Sequence, residues 1–173
     1  MKTITKVKFK KAGEKGVTIT YLKFDDGGKR RESQITDKYP PHDDFKSAMQ
    51  KLVPHFLLIA EQIQVGRLKR ASDVTEKEME GYRVSGVTIS GEGPKENIII
   101  TGYRTLSTGR GYVINTPATL VENEQDTKYK FMDELLADIE DIRTHAQDYL
   151  GGKCGTLTNQ AELDLKPEPV EED

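Results

Sequence analysis

The chain of 173 residues has no tryptophan, one cysteine (Cys154), three histidines and no long apolar run. A helix that crosses a bilayer needs roughly 20 apolar residues in succession, so a membrane partner is not expected. A single cysteine can form neither an internal disulfide nor a zinc cluster, and a cytoplasmic location is the expectation. Glycine (15) and proline (7) are too few for a collagen-like chain. The opening Met1-Lys2-Thr3-Ile4-Thr5-Lys6 is basic but lacks the apolar run of a signal peptide.

Chemistry-bearing motifs are equally scarce. Gly151-Gly152-Lys153-Cys154 departs from a phosphate-binding loop, with Gln147 where glycine belongs and Cys154 where serine or threonine belongs. Glu134, Asp138 and Asp141 share one helical stripe and read as a solvated acidic face. His42 reads as part of a helix cap beside Asp43 and Asp44. His55 follows Pro54, where a kink would expose it. No nucleophile, base and orienting group can be assembled, so no catalytic residue, metal or cofactor is expected, and the chain reads as a non-enzyme.

Charge is present in quantity, and it is unevenly spread. The net value is −3. Residues 1–31 carry Lys2, Lys6, Lys8, Lys10, Lys11, Lys15, Lys23, Lys29, Arg30 and Arg31 against Glu14, Asp25 and Asp26. The last thirteen residues carry Glu162, Asp164, Glu168, Glu171, Glu172 and Asp173 against Lys166. A basic beginning and an acidic end suggest an anionic partner for the first and a disordered tail for the second.

Hydrophobic periodicity supplies the fold class. Residues 3–10 alternate, with Thr3, Thr5, Val7 and Phe9 on one face and Lys6, Lys8 and Lys10 on the other, which predicts a strand. Val17–Phe24 predicts a second strand, Asp25-Asp26-Gly27-Gly28 a tight turn, and residues 29–37 a polar edge strand. Phe45, Met49, Leu52, Phe56, Ala60 and Ile63 form a helical stripe that Pro54 should kink or split. Residues 66–80 read as a connector with a helical turn near Thr75–Met79. Three more strands (82–90, 97–106 and 112–116) and a helix from Thr127 to Leu150 follow.

The expected architecture is therefore α+β, two three-stranded antiparallel meanders each followed by a helix (βββα-βββα), with both helices on one face. Val7-Lys8-Phe9 and Val17-Thr18-Ile19-Thr20 lie over Val87-Thr88-Ile89 and Ile98-Ile99-Ile100-Thr101, which suggests an internal duplication. Residues 1–153 form the expected single domain, with halves 1–65 and 81–152. Residues 154–173 form the expected disordered acidic tail.

The best functional lead is basic. Lys6, Lys8 and Lys10 on the first strand, Lys29, Arg30 and Arg31 after the turn, and Tyr103, Arg104 and Arg110 in the second meander could follow a phosphate backbone and stack bases. Arg67, Lys69 and Arg70 add charge in the connector. The acidic tail could compete for that face.

Pro41-His42-x-Asp44, Leu52-Val53-Pro54-His55, Gly86-Val87, Asn115-Thr116-Pro117 and Tyr149-Leu150-x-Gly152-Lys153 together resemble a family of small uncharacterised proteins of tailed bacteriophages and prophages. The resemblance spans roughly residues 2–153. It implies a viral origin and expression in the bacterial host cytoplasm, and it carries no site residues. The expected function is a non-enzymatic phage accessory protein that binds single-stranded DNA or RNA. The alternative is a phage protein that binds and inhibits a host protein such as a defence enzyme. A third reading is a small-molecule pocket between sheet and helices.

Overall fold

A computed structural model describes residues 2–13, 15–64, 66, 68–122 and 128–156. The expected acidic tail lies, from residue 157 on, outside the described residues. The architecture is α+β, built on one antiparallel sheet.

Strands β1 (Thr3–Phe9), β2 (Val17–Phe24) and β3 (Arg30–Asp37) form one meander. Strands β4 (Tyr82–Ser90), β5 (Asn97–Thr105) and β6 (Gly111–Asn115) form another, and a two-residue β7 (Thr119–Leu120) pairs β5 beyond the end of β6. The meanders join through their first strands, giving the order β3-β2-β1-β4-β5-β6. Val7 lies directly opposite Val87 at that junction.

Alternation sends Ile4, Val7, Phe9, Ile19, Val87 and Ile100 to one face, where they are buried. Helices α1 (Asp43–Gln50), α2 (Val53–Ile59) and α4 (Met132–Leu150) cover that face and close a single core. A short α3 (Glu76–Met79) is capped by Thr75, whose hydroxyl accepts the Glu78 N–H while the Glu78 carboxylate accepts the Thr75 N–H.

Pro54 splits the first helix. It has no N–H to donate, so it sits in the first turn of α2, where none is needed. The last helix begins at Met132, five residues after the expected Thr127; residues 123–127 lie outside the described residues. The described residues continue to 156, past the expected domain end at 153. Cys154 pairs with Pro41 and the Gly155 N–H donates to Pro40 O at 2.8 Å.

The strict alternation expected for residues 3–10 is broken. A bulge between Ile4 and Lys6 gives Thr5 no partner on β2, so Ile4 is buried in the core while Thr3 is exposed. β4 carries a matching bulge at Ser85, between Val84 and Gly86. Thr5 Oγ1 donates to Thr20 O at 3.2 Å, and Ser85 Oγ donates to Thr101 O at 3.3 Å. The meander turns match too: Gly28 N–H donates to Asp25 O and Gly109 N–H to Leu106 O. Gly28 and Gly109 have φ of 73° and 79°, a left-handed conformation that favours glycine.

Candidate functional site

The sheet face opposite the helices is uncovered by any described element. Lys6 and Lys8 stand exposed at its centre, placed there by the bulge and the alternation that follows it. Among the described residues, no acid pairs with either. Beside them lies a hollow of about 290 Å³, lined by both lysines with Gly86, Thr88, Thr101, Val113 and Asn115.

Gly86 forms the floor. A Cβ there would lie 2.8 Å from Val7 O, so the close approach of β1 and β4 requires the bare backbone that opens the hollow. Thr101 Oγ1 donates to Asn115 Oδ1 at 2.8 Å, which turns the amide nitrogen of Asn115 outward as a donor. Two ammonium groups, an amide N–H₂ and the Thr88 hydroxyl thus surround one depression. Such a set suits an acceptor-rich, anionic group.

The nine expected binding residues are not all brought together. Tyr103 lies half-buried on β5, two strands from Lys8 and about 10 Å across the sheet, on the same bare face. Arg30 forms an ion pair with Glu92, and Arg31 Nε donates to Asp25 Oδ2 at 2.9 Å. Arg104 is on the helix side, its guanidinium 5.6 Å from the Tyr82 ring centroid, and Tyr82 packs on Phe56. Lys10 falls in the turn after β1 instead of continuing the strand. Lys29 and Arg110 occupy the β2–β3 and β5–β6 turns. Because β2 and β5 run antiparallel, these turns sit at opposite ends of the sheet. Of the connector, Arg67 lies outside the described residues.

The helix layer holds an arrangement that the sequence reading missed. His55 is 1% exposed instead of displayed at a kink. Its Nδ1 is 2.8 Å from the Tyr129 hydroxyl and its Nε2 is 3.1 Å from Asp138 Oδ2. The carboxylate can only accept, so Nε2 carries the proton and Nδ1 accepts from Tyr129, an assignment made from the hydrogen-bond pattern. Burial, with the charges of Glu134 and Asp138 nearby, holds the Tyr129 phenol well above its ordinary range.

The acidic stripe of α4 is correspondingly not a simple solvated face. Glu134 Oε2 accepts the Ala71 N–H at 3.1 Å, and Asp141 holds Lys51 at 3.0 Å. A signal for Asp138 was present: it stands three residues after Leu135 and four before Ile142, at the border of the apolar stripe. His42 does cap α1, its Nδ1 accepting the Asp44 N–H at 3.2 Å. Among the described residues, no three His, Cys, Asp or Glu side chains converge as metal ligands. Among the described residues, no helix is long and apolar enough to cross a membrane.

No known family, curated protein or solved structure matches this chain.

Proposed function

We propose that the bare sheet face binds single-stranded DNA or RNA without catalysing a reaction, as an accessory protein of a phage in its host's cytoplasm. The observation that carries this reading is the pair Lys6 and Lys8, exposed and without an acidic partner among the described residues, beside the hollow over Gly86. A phosphate supplies the charge and acceptors that this donor set lacks, and Tyr103 offers a ring on which a base can stack.

The magnitude is modest. Two or three phosphates engaged correspond to a log–log salt slope of about −1.5 to −2 for single strands. Binding is therefore weak and general, in the range of nonspecific contacts. The test is anisotropy of labelled single strands with wild type and K6E/K8E. Loss of binding in the double variant supports the reading, and unchanged binding refutes it.

One observation favours a host-protein partner as the second reading. The outer edge of β6 carries Tyr112 and Val113, 59% and 64% exposed, and no charged residue between Gly111 and Asn115. The opposite edge strand, β3, is guarded by Arg30, Arg31, Glu32 and Asp37. An added strand from a partner would pair with β6. A nuclease-treated pulldown with wild type and Y112K, a β6 position outside the hollow, separates the readings: protein captured by wild type alone supports this second one.

We also propose that the two meanders arose by duplication. The matched bulges, the matched hydroxyl bonds and the matched turns support it.

A further inference from the structure

A cavity of about 670 Å³ lies between α1, the start of α2, the 71–79 segment and α4. That volume is in the range of sites for small organic ligands, roughly 300–1,000 Å³. Pro54, Ala71, Val74, Met79 and Ala137 give it an apolar body. Its two carboxylates lie on the α4 wall, where Glu134 and Asp138 stand one helical turn apart, while Ser47, Gln50, Lys51, His55 and Ser72 add polar groups from the other walls.

These carboxylates are only half engaged. Glu134 uses Oε2 for the Ala71 N–H, and Asp138 uses Oδ2 for His55. The second oxygen of each has no partner among the described residues. The lining contains one lysine, Lys51, and its ammonium is held by Asp141 at 3.0 Å. His55 is engaged on both ring nitrogens, by Tyr129 and by Asp138, and none of its polar atoms reaches Glu134. The wall therefore carries negative charge that its own cations do not balance.

We propose that this cavity binds an amphipathic organic cation, its apolar body against Pro54, Val74, Met79 and Ala137 and its protonated amine or amidine between Glu134 and Asp138. Anionic ligands are repelled by the same two carboxylates, and a neutral ligand of the same shape gains only the apolar contacts. The site is on the helix side of the sheet and is independent of Lys6 and Lys8.

The probe is benzamidine, with benzoate and benzyl alcohol as the anionic and neutral counterparts. Binding is read by calorimetry and by the methyl signals of Val74, Met79 and Ala137. Benzamidine should bind and shift those signals, benzoate should not, and benzyl alcohol should bind more weakly. E134Q and D138N keep a hydrogen-bonding oxygen and remove a charge, and each should weaken benzamidine roughly tenfold or more. A137F fills the cavity and should abolish binding; if it does not fold, E134Q and D138N carry the test. Failure of benzamidine to bind at millimolar concentration, equal binding of benzoate, or unchanged affinity in both charge variants would overturn the proposal.

Discussion

Thr5 and Ser85 stand at the bulges of the two central strands, and each closes its bulge with a hydroxyl bond to a neighbouring carbonyl, Thr20 O and Thr101 O. Each bulge decides which residues of its strand face solvent. The one at Thr5 puts Ile4 into the core while leaving Lys6 and Lys8 outside. The hydroxyl bonds should each contribute about 1 kcal/mol. T5V and S85A should therefore lower stability by about that amount in urea melts, while the exchanges T5S and S85T should cost less.

The chain Tyr129–His55–Asp138 ties α2 to the segment before α4 and to α4 itself. Y129F removes the donor to a buried ring nitrogen and should cost about 1–2 kcal/mol. H55A should cost more, because it also empties a packed position beside the Tyr129 ring. Thermal melts of the two variants check the order. Equal stability of Y129F and wild type would mean that the bond is not formed in solution.

Alkaline pH should expose the same packing. Tyr129 and Tyr149 are held well above the ordinary phenol range, chiefly by burial, and the Tyr149 hydroxyl also donates to Tyr39 O at 2.6 Å. A phenol whose folded value is raised ionises first in the unfolded chain. Stability is thus intact below about pH 10 and falls above it, by up to about 1.4 kcal/mol per pH unit for each such tyrosine. Absorbance at 295 nm should show part of the tyrosine signal titrating only with unfolding. All seven tyrosines ionising together near pH 10 in the folded protein would contradict this.

Much of the fold could be read from the chain because it depends on local pattern. Alternation marked β1, β-branched and aliphatic runs marked strands such as β2 and β5, glycine turns marked the hairpins, and the stripe Leu135, Ile139, Ile142, Ala146 and Tyr149 marked α4. What could not be read depends on partners distant in sequence. The Thr5 bulge is a property of pairing with β2, and β7 is two residues long. His55 meets Tyr129 and Asp138 across 74 and 83 residues. Arg30 looked available as a binding residue and is paired with Glu92, 62 residues away. The candidate interface narrowed accordingly from nine residues to Lys6, Lys8 and Tyr103, and gained Asn115 and Thr88.

The most direct test of the sheet face is a salt titration of single-stranded oligonucleotide binding by fluorescence anisotropy, comparing wild type, K6E/K8E and K29E/R110E. Weak binding at low salt with a slope of about −1.5 to −2, loss of that binding in K6E/K8E, and near-wild-type binding in K29E/R110E are expected. No binding by wild type at low salt, or K6E/K8E binding as well as wild type, would contradict binding by that face.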